Sequence, residues 1–166
     1  MKIEELVTLY DYNYWANELI LEAAGSLSPE QFTAPAQLSF GSVRGTLVHA
    51  LGTERLWRQR CQEAVSPTTM LSESDIPDMA ALRRQWSAEE GAMRAYLGRL
   101  ADPDQDRIVQ YTNMRGIPFE TPLWQILVHV VNHSTQFRSE AGVALTSLGH
   151  SPGDTDLIVY LRQLKK

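Results

Sequence analysis

Two histidines, His129 and His133, stand four residues apart in an apolar-periodic segment of the chain. On an α-helix this spacing places both imidazoles on one face, one turn apart. A third histidine, His49, lies in an earlier segment that also has helical periodicity. Neutral imidazole is a good ligand for zinc and nickel, so three helix-borne histidines could hold a divalent ion and leave a position open for water or substrate.

The same histidines also have a purely structural interpretation. A histidine on a half-apolar helix face is more often a hydrogen-bonded core or boundary residue than a metal ligand, and short motifs alone do not separate the two roles. The structural role is the commoner one, above all for His49 taken by itself. His150 follows Gly149 and is expected in a loop or at a helix end.

Three further residues are candidates for a pocket or a polar core. Asn13 and Asn17 fall on the apolar face of the first helical segment, where buried amides need partners within the bundle or line a cavity. Arg138 could hold an anionic substrate group, although a surface ion pair is the more common finding. Cys61 is predicted near a helix C-terminus, where the helix dipole raises the pKa of a thiol, so a nucleophilic role is not expected.

These residues must be positioned by long helices. Apolar residues at helical spacing predict four of them, over about 3–24, 42–62, 79–100 and 122–148. Capping patterns predict a short helical turn after Ser28 and a last short helix near 154–163. Between them, alternation over 106–120 with Arg115-Gly116 at its centre indicates a small β-like hairpin. The expected fold is all-α: one domain over 1–166, an up-and-down four-helix bundle with a short extra C-terminal helix and a small β-like excursion before the fourth helix.

Composition excludes several functional classes. The formal net charge is −5 and no basic run is present, which argues against nucleic acid or an anionic membrane surface as a partner. No apolar run approaches the ~20 residues that span a bilayer. The single cysteine excludes an internal disulfide, and the acidic N-terminus is not a signal peptide, so a cytoplasmic location is expected.

The order and spacing of several pieces resemble a known family. They are the segments 10–17, 39–50, 54–57, 130–133, 138–140 and 148–156. Together they cover nearly the whole chain and resemble the DinB family of small helical-bundle proteins. The resemblance implies a bundle that is often a homodimer, with three histidines around a nickel or zinc ion. Relatives include transferases and isomerases that use a low-molecular-weight thiol, and the family name refers to induction by DNA damage, a stress response.

The resemblance also changes which residues are expected to be ligands. The ligand positions of the family correspond to His49, His133 and Phe137, so the chain keeps two histidines and has phenylalanine in place of the third. His129 could replace it only if the ion moved by one helical turn, ~5.4 Å. An oxygen of Gln136 or Glu140 is another substitute, and a two-histidine site completed by water is a third arrangement.

Two functions are therefore expected in competition. The first is a DinB-like protein with a degenerate divalent-metal site at His49 and His133, with Asn13, Asn17, Phe137 and Arg138 around the pocket, acting as a thiol-dependent S-transferase on a small molecule. The second is a non-catalytic, dimeric helical bundle that binds a small ligand or serves as a stress-response accessory protein. The phenylalanine favours the second, and the retained histidines favour the first.

Overall fold

A computed structural model describes residues 1–164 and confirms the helical bundle. Its helices are α1 (Ile3–Gly25), α2 (Pro29–Thr33), α3 (Val43–Arg58), α4 (Met79–Leu97), α5 (Leu123–Ser147) and α6 (Leu157–Gln163). A π-helical turn, Gln59–Glu63, continues α3, and two 3₁₀ turns cover Glu73–Asp75 and Asp102–Asp106. Strands β1 (Ile108–Thr112) and β2 (Pro118–Pro122) form the antiparallel hairpin.

Side-chain caps fix where several helices begin. The Ser28 hydroxyl accepts the backbone N–H of Gln31 at the start of α2. Ser42 accepts the N–H of Gly45 at 2.8 Å, and Asp78 accepts the N–H of Ala81 at 2.7 Å, at the starts of α3 and α4. Each of these bonds satisfies an amide that has no partner within the first helical turn.

The last helix starts three residues later than its sequence pattern predicts. The Asp154 carboxylate accepts the N–H of Asp156 at 2.9 Å, within the loop instead of at a helix start. Asp156 then becomes the residue before the first turn of α6. The short polar residues around Gly153 thus stabilise a turn, which is the competing use of the same side chains.

Contacts between the helices give their directions. Arg83 pairs with Glu18 and Arg94 with Asp11, so α4 runs antiparallel to α1. The Arg58–Glu89 pair and the bond from the Tyr96 hydroxyl to the Cys61 carbonyl show that α3 and α4 run in the same direction.

The segment 64–78 makes this parallel pair feasible by returning along α3. Glu73, within that segment, bonds to Ser42 and Arg44 at the start of α3.

Helix α5 packs against both α1 and α3. It is parallel to α1, as the bonds Tyr10–Leu127 and Asn17–Arg138 show. It is antiparallel to α3, as the contacts His49–His133 and Ser39–Glu140 show. The four helices of the bundle thus run up, down, down and up. The expected up-and-down alternation fails between α3 and α4, because the segment 64–78 returns to the start of α3 before α4 begins.

Two apolar clusters fill the interior of the bundle. One contains Leu6, Tyr10, Met93, Leu127 and their neighbours; the other contains Leu47, Leu51, Leu82, Leu145 and their neighbours. Among the residues that the structure describes, no helix is both long enough and apolar enough to cross a bilayer.

A candidate site at two histidines and two phenylalanines

His49 and His133 meet across the interface between α3 and α5. Their Nε2 atoms are 3.2 Å apart, a hydrogen-bonding distance in which one ring must present N–H and the other a lone pair. The antiparallel packing of α3 and α5 creates this meeting, since the two residues are 84 positions apart in sequence. The histidine pair was expected from the family resemblance and not from spacing alone.

Burial keeps both imidazoles neutral near pH 7. Desolvation lowers the pKa of His49, and the nearby Glu140 carboxylate partly opposes that change. Burial lowers the pKa of His133 to about 4, with smaller contributions from His49 and His129. The Nδ1 atom of His133 is buried and has no hydrogen-bond partner within residues 1–164. Such neutral rings retain lone pairs that could bind a ligand.

Two phenylalanine rings enclose the histidine pair. The Phe137 ring is 6% exposed, and its centroid is 4.6 Å from that of His49 and 4.6 Å from that of His133. Phe40, in the loop before α3, stacks on His49 with centroids 3.7 Å apart and contacts Phe137 edge-on. The space beside the two imidazoles is therefore filled by carbon, which offers no electron pair of the kind that binds a metal.

None of the three suggested substitutes brings a third donor to the pair. The centroid of His129 is 5.7 Å from that of His133, and its ring is exposed and packs edge-on against Trp57. Gln136 is exposed, and Glu140 accepts the backbone N–H of Ser39. Over residues 1–164, no group of three or more His, Cys, Asp or Glu side chains is arranged to hold a metal ion. The side chains present thus do not fit a centre that requires three protein ligands.

The hydrogen bond between Glu140 and Ser39 positions the aromatic part of the site. This bond ties α5 to Ser39, the residue before Phe40. It thereby holds the Phe40 ring against His49. Gly45 leaves no open space beside α3, because the Phe40 carbonyl and the Glu73 carboxylate occupy the space beside its Cα. Because it has no side chain, Gly45 lets the loop pack closely on α3.

The predicted pocket residues Asn13, Asn17 and Arg138 form a buried polar network on the other side of α5. Arg138 is 2% exposed, which rules out the common surface ion pair. Its Nη1 donates to the side-chain oxygens of Asn13 and Asn17, and its Nη2 donates to Thr135 at 2.8 Å. These bonds join α1 to α5 through a charged group in the interior.

Glu54 belongs to the same network and was not predicted as a functional residue. It is 2% exposed and accepts hydrogen bonds from the Tyr14 hydroxyl at 2.7 Å and from the Asn13 amide at 3.3 Å. Burial raises the pKa of Glu54 to about 7, although both hydrogen bonds and Arg138 oppose the rise. The sequence contains one signal of this network: Glu54 is a carboxylate within the apolar stripe of α3, and the apolar stripe of α1 contains two asparagines.

The remaining candidates lie away from this site. Cys61 is buried in the π-helical turn, and burial raises the pKa of its thiol to about 12. This agrees with the expectation that Cys61 is not a nucleophile. His150 lies in the loop after α5, where its backbone N–H donates to the Leu145 carbonyl at 2.9 Å.

Comparison with known proteins is consistent with the geometry of the bundle. The model of the DinB family matches residues 1–165. Protein DinB of Bacillus subtilis (strain 168) is 24% identical over 161 residues, which cover 95% of this chain and 94% of that protein. Both matches extend across the bundle, the histidine pair and the hairpin.

Proposed function

The chain belongs to the DinB family, and from that membership we propose that it is a small-ligand-binding member whose metal centre is degenerate. In this proposal the bundle is a non-catalytic, stress-response accessory protein. The single observation that carries the proposal is the buried Phe137 ring beside both imidazoles. A ligand position filled by an apolar ring lowers metal affinity and removes the donor that would complete the ion's shell.

Restoring the third imidazole tests this proposal. We expect Phe137→His to raise the affinity for zinc or nickel by more than about tenfold, since a third ligand is added to two that already converge. Phe137→Leu is the matched control, because it relieves the aromatic packing without adding a donor. Isothermal titration calorimetry of the tag-free proteins with zinc or nickel measures the change in affinity. Tight one-to-one binding by the unchanged protein, with no gain in Phe137→His, would overturn the proposal.

A second candidate function is the metal-dependent thiol S-transferase found among family relatives. The observation in its favour is the 3.2 Å separation of the two Nε2 atoms. Two nitrogens bound to one tetrahedral zinc at 2.0–2.1 Å are about 3.3 Å apart, so the histidine pair needs little movement to share an ion. His49 and His133 would hold the ion together with water, and the cosubstrate would be a low-molecular-weight thiol.

Metal content separates the two candidates. A protein purified without a histidine tag, then equilibrated with zinc or nickel and desalted, should retain close to one equivalent if the second candidate is correct. His133→Ala should then abolish retention. Retention below about a tenth of an equivalent, unchanged by His133→Ala, rejects a metal-dependent activity and leaves the binding function.

The oligomeric state and the cellular location are independent of the ligand. We propose a cytoplasmic homodimer, following the family resemblance and the single, unpaired cysteine. Exposed apolar side chains such as Ile158 and Leu164 are available for contact with a second copy. Light scattering at several concentrations should give twice the mass of one chain. A constant mass of one chain contradicts the dimer and does not affect the proposed binding function.

A further inference from the structure

A groove runs along α5 on a different side from the histidine pair. Its volume is about 340 Å³, and its walls come from α1, α5 and the loop before α6. Ile20, Gly142, Val143, Pro152 and Thr155 line it, with Arg138 among them. We call this cavity the α5 groove. Its volume lies within the range of small-molecule sites, about 300–1,000 Å³.

Arg138 brings a positive charge to the α5 groove, and no carboxylate among the described residues is in direct contact with that charge. Within residues 1–164 its guanidinium forms no ion pair, and its three hydrogen bonds go to neutral oxygens of Asn13, Asn17 and Thr135. Glu54 is joined to it only through Asn13, which accepts from Arg138 and donates to Glu54. A buried guanidinium ordinarily has an anionic partner, because leaving its charge unpaired is costly.

A buried donor that has no acceptor within residues 1–164 lies beside the guanidinium. Arginine can only donate, so the side-chain oxygen of Asn17 must face Arg138, which leaves its Nδ2 as the free end. That Nδ2 atom is buried and has no acceptor among the described residues. In the part of the chain that the structure describes, the polar network behind the groove therefore contains one buried donor without an acceptor, beside a guanidinium that no carboxylate contacts.

From this arrangement we propose that the α5 groove binds a small organic carboxylate, with Arg138 as its counter-charge. Ile20, Val143 and Pro152 provide apolar walls for the organic part of such a molecule. Asp154 adjoins the lining residue Gly153 in sequence but is not itself part of the lining, in which Arg138 is the charged residue. The inference deepens the proposed small-ligand function by naming the class of ligand, and it places that ligand away from the histidine pair.

A matched pair of probes tests the charge requirement. Benzoate and benzamide have nearly the same shape, but only benzoate is anionic at neutral pH. In ¹⁵N-resolved NMR titrations we expect benzoate to shift the amide signals of Ser139, Gly142 and Thr155 saturably. Benzamide should bind at least about tenfold more weakly, the usual loss when a charged hydrogen bond becomes neutral. Equal binding of the two probes, or binding of inorganic phosphate without benzoate, would overturn the carboxylate assignment.

Variants locate the probe within the groove. Val143 is 69% exposed at the rim, so Val143→Glu adds a repelling charge without disturbing the core, and Val143→Gln is its neutral control. We expect about twofold weaker benzoate binding in Val143→Glu alone. A Cβ at Gly142 would meet Pro152 and Ile20 at 3.5 and 3.6 Å, ordinary contact distances, so Gly142→Leu should fill the groove and abolish binding.

Arg138→Gln gives the most direct result, with circular dichroism to verify the fold. Loss of benzoate binding in the folded variant supports the counter-charge. Undiminished binding in either Arg138→Gln or Gly142→Leu contradicts the assignment. These readouts do not involve the histidine pair, so a failed groove titration and a failed metal titration of Phe137→His are separate outcomes.

Discussion

Glu54 shows how a single side chain can make the bundle sensitive to pH. Its carboxyl lies in the interior, where two donors, Tyr14 and Asn13, bind its oxygens. Even with these bonds, burial raises its pKa to about 7, and the nearby Glu89 adds to the rise. The unfolded chain would have a glutamate pKa near 4.5. Between these values the folded state binds more protons than the unfolded state, so stability decreases as pH increases.

We predict that Glu54→Gln removes this pH dependence. Relative to the variant, the unchanged protein should lose up to about 3 kcal/mol of unfolding free energy between pH 4.5 and pH 7.5. Urea unfolding at a series of pH values measures the difference between the two proteins. Glu22→Gln, an exposed carboxylate on α1, is the control. A constant difference across this range would show that Glu54 does not titrate there.

At the scale of elements, the start of α3 determines how the loop with Phe40 packs. Gly45 lies in the first turn of α3, against the Phe40 carbonyl and the Glu73 side chain. A Cβ there would be 2.1 Å from that carbonyl oxygen, a distance that only a shift of the backbone could relieve. This glycine therefore lets the loop approach α3 closely enough for Phe40 to stack on His49.

We predict that Gly45→Ala is destabilising in spite of the higher helix propensity of alanine. The expected loss is ~2 kcal/mol from overpacking, together with displacement of Phe40 from His49. Gly91→Ala in α4 is the control, since nothing lies within 4 Å of its Cβ position. It should gain about 0.5–1 kcal/mol. Thermal unfolding compares the two variants, and equal effects at both positions would contradict the packing argument.

Sequence patterns predicted the elements better than their contacts. Helical periodicity located α1, α3, α4 and α5 because each has an apolar face, and alternation around Arg115-Gly116 located the hairpin. Spacing alone paired His129 with His133, whereas tertiary packing pairs His133 with His49 and places His129 against Trp57. Such pairings depend on which helices are neighbours, and a local pattern does not contain that information.

The polar network shows the same limit. Asn13 and Asn17 were recognisable as amides on an apolar face, so their burial could be anticipated. The burial of Arg138 could not be anticipated, because Asn13 and Asn17, which accept two of its hydrogen bonds, are on α1, more than a hundred residues away in sequence. Glu54 was hidden for a similar reason: only the assembled bundle brings Tyr14 and Asn13 to its oxygens.

At the scale of the whole molecule, Cys61 reports on opening of the bundle. It lies between α3, α4 and the segment before the hairpin, where its backbone carbonyl accepts bonds from Tyr96 and Arg107. Burial raises the pKa of its thiol to about 12, so little reactive thiolate is present in the folded state. Reagents should reach it only when the surrounding structure opens.

We predict that a thiol reagent such as Ellman's reagent modifies Cys61 slowly in the native protein and rapidly in denaturant. The rate should rise with urea in parallel with unfolding measured by circular dichroism. The double variant Cys61→Ala, Ser87→Cys, with its thiol on the exposed face of α4, should react at once in the absence of denaturant. Equally fast reaction of Cys61 in the native protein would contradict its burial.

The side-by-side packing of α1 and α5 has a consequence for synthesis on the ribosome. Tyr10 and Asn17 of α1 bond to Leu127 and Arg138 of α5, which are translated more than a hundred residues later. The first helix therefore emerges long before its principal partner exists, with Asn13 and Asn17 still without the arginine that binds them. Until α5 has left the exit tunnel, α1 lacks these partners, so the bundle closes only after α5 has been synthesised.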